Sequence, residues 1–246
     1  KENINNIEPP LVVRNINKTF KNRVILNNLN LTISKGDIYG LIGVNGAGKT
    51  TLIKIILDLL KSSEGKINIF GNSSLDKLSR KNVFYLPEKF QPSQYLTGME
   101  FLNLSNLYFH NKAIENKKKI LKYAKLLDLE EYFLTHKVNK YSKGMGQKLG
   151  LISVFLSEAP LLILDEPMSG LDPHVRLRLK EMLREYTSLG KTVFFSSHIL
   201  SDIDEICNKI SVIHKNKLTY NGSPQGFKKT YKSKTLELAF LKVIDA

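Results

Sequence analysis

The densest chemistry in the chain lies at Gly43-Val44-Asn45-Gly46-Ala47-Gly48-Lys49-Thr50. This is the pattern G-x-x-x-x-G-K-[ST], in which glycines let backbone N–H groups wrap closely around phosphate oxygens. A helix opening at the end of such a loop adds unpaired N–H groups and positive potential. Lys49 is then the cation for the β- and γ-phosphates of a nucleotide, and Thr50 offers a hydroxyl to Mg2+, with Thr51 beside it. A second set is Asp165-Glu166, which ends the apolar run Leu161-Leu162-Ile163-Leu164. A carboxylate at the C-terminal end of a buried strand sits where open α/β sheets bind ligands. Asp165 suits holding Mg2+, directly or through water, and Glu166 suits orienting or deprotonating an attacking water. Two acids after an apolar strand are often only a cap; the phosphate loop upstream turns them into a site.

These groups need elements to hold them. Short apolar runs predict strands at residues 11–16, 29–33 and 38–42, separated by turns rich in Lys and Asn. After Gly48 the period changes, with Leu52, Ile55, Ile56 and Leu59 on one helical face. Gly65 closes that helical unit, and residues 66–70 and 83–86 read as further strands. From about 88 to 157 the strand signal fades. Thr97-Gly98-Met99-Glu100 is a capping box that starts a helix, residues 113–127 form a second with a lysine-rich outer face, and Ser142 heads a third. Strands return at 161–164 and 192–195 as continuous apolar runs, the mark of a buried parallel sheet. Between them lies a helix with Pro173 near its first turn and Gly190 just past its end. Residues 210–214 and 218–220 read as a closing hairpin. The class is therefore α/β, interrupted by an α-helical insertion.

A chain of 246 residues is long enough to bury its own core, and 42% apolar with 24% charged residues is ordinary for a globular protein. Lys and Arg number 37 against 23 Asp and Glu, a net charge of +14. The excess is nearly all lysine scattered along the chain, which reads as a solvated basic surface, and no specific nucleic acid is expected. One cysteine, Cys207, excludes a disulfide framework within one chain and fits a reducing compartment. No apolar stretch approaches the ~20 residues needed to span a bilayer. The first ten residues, which begin with Lys rather than Met, are polar and lack a signal-peptide core. The chain is expected not to be a membrane protein itself.

Beside the two phosphate-site motifs stand Tyr141-Ser142-Lys143-Gly144-Met145, Ser169-Gly170-Leu171-Asp172, and His198 in Phe195-Ser196-Ser197-His198. In this order and at these separations they resemble the ATP-binding subunits of ABC transporters, from about Leu11 to the C-terminus. The resemblance implies an ABC cassette of the P-loop NTPase class: a RecA-like mixed-sheet core, an antiparallel β subdomain and an inserted α-helical subdomain. It implies a cassette over 11–226 with the insertion at about 88–157, flanked by a polar tail at 1–10 and a C-terminal tail at 227–246. It implies ATP and Mg2+ as ligands, and two cassettes sandwiching two ATP molecules head to tail. The segment at Ser142 and Gly144 of one cassette then covers the γ-phosphate held by the other's phosphate loop. Ser142 alone reads as an ordinary N-cap, and a lone His after a strand is usually structural. By resemblance, Asp172 lies on a loop crossing the dimer interface, His198 acts with Glu166 and Lys49 at the γ-phosphate, and Phe20 stacks on adenine. Tyr39 is a weaker adenine candidate.

Two departures stand out. The family's Leu-Ser-Gly-Gly-Gln has Lys143 for its first Gly and Met145 for its Gln. The glutamine expected after strand 83–86 is replaced by Glu88, which can ligate Mg2+ but adds a negative charge. Both variants resemble the branch serving ABC-2-type exporters, as does the tail Thr235–Leu241. The resemblance thus implies a hydrolytic subunit powering export through separate integral membrane permease subunits, held peripherally at the cytoplasmic face of the membrane. The competing readings are a cassette that regulates a membrane complex and a soluble ATPase acting on ribosomes or DNA.

Overall fold

The computed structural model describes residues 8–110 and 117–245. A long hairpin opens the chain, β1 (Leu11–Phe20) and β2 (Arg23–Ile33), and leads into β3 (Ile38–Ile42) and α1 (Lys49–Ile56). β4 (Glu64–Ile69), β5 (Asn72–Ser73) and β6 (Val83–Leu86) follow. Between β6 and the next strand the described residues form α2 (Gly98–His110), α3 (Lys117–Leu126), α4 (Glu131–Leu134) and α5 (Lys143–Ser157). The remainder alternates β7 (Leu161–Asp165), α6 (Pro173–Ser188), β8 (Thr192–Ser196) and α7 (Leu200–Ile206), then ends with β9 (Lys209–His214), β10 (Lys217–Gly222), α8 (Pro224–Thr230) and α9 (Leu236–Ile244).

Two sheets result. One has order β2-β1-β4-β5 and is antiparallel; the other has order β10-β9-β3-β8-β7-β6. In the second, β9, β3, β8, β7 and β6 run parallel and only the β9–β10 pair is antiparallel. The five residues of β3, β7 and β8 are all buried. Successive side chains of a strand face opposite ways, so each strand feeds two cores. Ile38, Leu162, Leu164, Val193 and Phe195 join the core shared with α2–α9. Tyr39, Leu41, Leu161, Ile163 and Phe194 join the core shared with α1 and the antiparallel sheet. Each fully buried Leu, Ile or Phe contributes about 1.5–3 kcal/mol. This double burial fixes the C-terminal ends of β3, β7 and β8 side by side.

The capping box forms: the Glu100 carboxylate accepts from Thr97 N (2.8 Å), and Thr97 Oγ1 accepts from Glu100 N (3.2 Å). Of the helix expected at 113–127, residues 113–116 lie outside the described residues and 117–126 form α3. α1 stops at Ile56, earlier than Gly65, because Asp58 turns into the left-handed region at φ 56°. The Lys/Asn-rich segments expected as turns are instead the polar half of the β1–β2 hairpin. Bulges at Asn15 and Asn28, both at φ 52°, interrupt the alternation of side chains there. Asn side chains replace ladder bonds: Asn30 Oδ1 accepts from Asn15 N, and Asn17 Oδ1 from Asn28 N. α8 runs across residue 226, and its Phe227 is buried in the core shared with α2–α9.

Candidate functional site

β3 delivers the chain into the glycine-rich loop, and α1 starts at its far end. Gly48 has φ 107°, a conformation strained for any other residue, and a Cβ there would lie 2.6 Å from Leu26 Cδ2 and would have to push that side chain aside. Lys49, 7% exposed, curls back into the loop and donates to Gly43 O at 2.7 Å. Burial lowers its pKa, opposed by the carboxylates of Glu166, Asp165 and Glu88. The ammonium thus stands between the loop and the acids.

The parallel register places Asp165 of β7 opposite Ser196 of β8. The Ser196 hydroxyl donates to Asp165 Oδ1, and Thr50 Oγ1 donates to Asp165 Oδ2 at 2.8 Å. Glu166 sits in the left-handed region at φ 52°, held by its N–H donating to Ser196 O (3.2 Å) and Ser196 Oγ (3.1 Å). A non-glycine residue kept there stores strain that surrounding bonds must offset. Its carboxylate is bound to His198: Nδ1 lies 2.7 Å from Oε2, and the His198 N–H donates to the same oxygen at 3.3 Å. Tyr85 stands nearby, its phenol pushed up to about 12 by burial and by Asp165 and Glu88.

One cleft of about 340 Å3 collects Lys49, Thr50, Thr51, Glu88, Asp165, Glu166 and His198, with Asn45, Gly46 and Gly48 on its loop side. Gly43 and Ala47 belong to the same loop but are buried behind it. Phe20, Ser142, Gly144 and Asp172 do not line the cleft. Phe20 ends β1, 45% exposed, with the Lys18 ammonium 4.7 Å from its ring centroid. Ser142 caps α5, its Oγ accepting from Met145 N, and Asp172 caps α6 without a side-chain bond; both are exposed. Sequence reasoning missed Ser196, although it stands two residues before His198. Its signal is a small hydroxyl at a strand end, and only strand pairing shows that it meets Asp165.

The donor set suits Mg2+, which favours hard oxygens and keeps ligands from substrate phosphates and water. Thr50 and Asp165 supply two such oxygens in contact, with Glu88 on the same cleft. Among the described residues no group of three or more His, Cys, Asp or Glu is arranged as a metal cage by itself.

The family model described as ABC transporter matches residues 26–169, more than half of the chain. The chain belongs to the ABC transporter family. It is an ATP-binding cassette of that family, and its α/β architecture is the cassette fold. An ABC transporter ATP-binding protein of Nostoc sp. is 39% identical over 201 residues, covering 81% of this chain and 60% of that protein. The Nod factor export ATP-binding protein I of Sinorhizobium fredii is 32% identical over 215 residues, 85% of this chain and 62% of that protein. The cassette therefore spans about three-fifths of the length of these relatives. A solved ATP-binding subunit of an ABC transporter superposes with a TM-score of 0.88 at 28% identity, covering 94% of this chain and 98% of that one. A dimeric cassette in a post-hydrolysis state, bound to ADP and phosphate, gives a TM-score of 0.77 at 26% identity over 87% of this chain and 98% of that one.

Proposed function

We propose that this cassette binds and hydrolyses ATP with Mg2+, closes on a second cassette, and drives export through separate integral membrane permease subunits. The carrying observation is the Glu166–His198 contact at 2.7 Å in the cleft that holds Lys49, Thr50 and Asp165. Lys49 with Gly43, Asn45, Gly46, Ala47, Gly48, Thr50 and Thr51 holds the phosphates. Thr50, Asp165 and Glu88 hold the metal, which when bound neutralises charge on the β- and γ-phosphates. Glu166 orients and deprotonates the attacking water, and the imidazole of His198 fixes that carboxylate and faces the γ-phosphate. Phe20 stacks on the adenine. Ser142, Gly144 and Asp172, apart from the cleft in one chain, complete the site of a second cassette, so hydrolysis waits for closure.

The assignment to export rests on the Lys143, Met145 and Glu88 departures and on a relative whose own role is Nod factor export. No helix of the described residues is long and apolar enough to cross a membrane. In this reading the permease is seated against the helical segment at 88–157 of a cassette running from 11 to 226 with flanking tails. The cassette would then lie at the cytoplasmic face of the membrane.

The test is Glu166→Gln. Turnover should fall about 10²–10⁴-fold, the usual contribution of a general base, with ATP binding retained. Size-exclusion chromatography with ATP and Mg2+ should show a stable dimer. A tagged copy in detergent extracts should retain a multi-spanning membrane protein. Wild-type turnover would remove Glu166 from the role of base, and recovery of ribosomes or DNA without a membrane protein would end the transporter reading.

A further inference from the structure

We propose that Gln147 is a positioning residue through which the start of α5 sets the placement of Glu166 in the same chain. The inference rests on the hydrolytic reading above, in which Ser142 and Gly144 engage a phosphate held by a second cassette. Gly144 and Gln147 are three residues apart on α5 and so share a face. That face lies against the loop following Glu166. A Cβ on Gly144 would come 3.2 Å from Gly170 O, so the backbones already touch there. One turn on, Gln147 is 7% exposed, and its Nε2 donates to Pro167 O at 3.1 Å in a buried bond.

Pro167 O belongs to the peptide that follows Glu166 and Pro167. On the upstream side Glu166 is pinned by Ser196, and its own carbonyl accepts from Ser169 N at 3.1 Å. The Gln147 bond therefore fixes the downstream side of a residue already held at φ 52°. A second tie reinforces the joint. Lys148 Nζ donates to Asp128 O at 2.7 Å, and the Asp128 carboxylate lies 3.2 Å from His174 Nε2 at the start of α6. Adjacent α5 residues thus reach both ends of the segment 167–174, Gln147 directly and Lys148 through Asp128. From Gln147 to Ser157 α5 is buried throughout, so it shifts as a body rather than bending locally. Engagement of Ser142 and Gly144 by a second cassette consequently shifts Pro167 O and, with it, the Glu166 carboxylate at the chain's own nucleotide. Gln147 couples the two sites of the closed pair without touching either nucleotide.

The test compares Gln147→Glu, which keeps the shape but has no N–H to donate, with Gln147→Lys, which restores a donor. The readouts are steady-state ATP hydrolysis, ATP affinity, and ATP-dependent dimer formation in a Glu166→Gln background. Gln147→Glu should lose about tenfold in kcat, with ATP affinity within about threefold of wild type and the dimer intact. Gln147→Lys should return kcat to within about threefold of wild type. Wild-type kcat in Gln147→Glu, a loss that lysine does not relieve, or loss of the dimer alongside turnover would each overturn the proposal. Absence of ATP hydrolysis by the wild-type chain would instead overturn the hydrolytic reading, and this inference with it.

Discussion

At the ends of β7 and β8 the acidic side chains are bonded within the chain: Asp165 to Thr50 and Ser196, Glu166 to His198. At Ser142 and Asp172, two helix caps of the same molecule, the side chains face solvent. Both regions carry polar groups at the ends of regular elements, yet one is pre-organised and the other is a surface. The difference follows from what supports each. The strand ends are locked by burial on two faces of the sheet, which makes a buried, fixed setting for the Asp165 and Glu166 carboxylates. Charge interactions in such a setting are several times stronger than in water. The helix caps have only the first free N–H groups of α5 and α6 behind them, an arrangement that attracts an anion but does not enclose one. A reaction that needs both regions must wait until something brings them together.

The sharpest way to break this division is at the cation of the pre-organised half. Lys49→Ala removes charge-assisted bonds to phosphate worth about 1.5–3 kcal/mol each, so ATP affinity should fall roughly 100-fold. Fluorescence titration with an ATP analogue reads this directly. Unchanged binding would mean that the loop does not hold the phosphates, and the contrast between the two regions would lose its basis.

The fold was legible where burial is simple. β3 and β6 have the bounds that their apolar runs predict, because strands buried on both faces are continuous hydrophobic segments. The polar half of the β1–β2 hairpin was not legible, because Asn side chains and bulges stand in for alternation there. In the site, the loop at 43–50 and Asp165-Glu166 stand out because their residue types are rare and their spacing is short-range. Ser196 and Gln147 do not. The Ser196–Asp165 pairing is a register between strands 31 residues apart, and the Gln147–Pro167 bond is a helix packing on a loop. Neither leaves a pattern in local sequence. Ser142 and Asp172 were legible as motifs and by resemblance, but a single chain does not bring them to the cleft.

Two serines sharpen the comparison, since each loses one hydroxyl on mutation to alanine. Ser196 is fully buried and serves both Asp165 and Glu166. Ser196→Ala leaves a buried carboxylate oxygen short of a donor, at about 1–3 kcal/mol, and should weaken Mg2+-dependent ATP binding by about tenfold in the separated chain. Ser142→Ala loses an exposed cap worth about 1 kcal/mol to α5. It should leave ATP binding by the separated chain unchanged and lower only turnover in the ATP-dependent dimer. Equal weakening of single-chain binding by the two variants would show that Ser142 serves the site of its own chain.

The smallest effect expected is at Phe20, which belongs to neither region. It lies at the exposed end of β1 with one ring face under Lys18, whose ammonium is itself anchored to Lys61 O at 2.7 Å. Stacking of a base on an aromatic ring contributes about 1–3 kcal/mol, and a half-exposed ring with a cation on one face belongs at the low end. Phe20→Ala should therefore weaken ATP binding about fivefold. The informative control is inorganic tripolyphosphate, which has no base to stack. If Phe20 holds adenine, its loss should leave the affinity for tripolyphosphate untouched, because in the proposed site the phosphates are gripped by the loop at 43–51 and not by Phe20. An equal loss for both ligands would show that alanine at position 20 disturbs the loop through β1 and β2 rather than through the base. No loss for either would leave the adenine to another side chain, and Tyr39 is excluded from that task by its complete burial in the core between β3 and the antiparallel sheet.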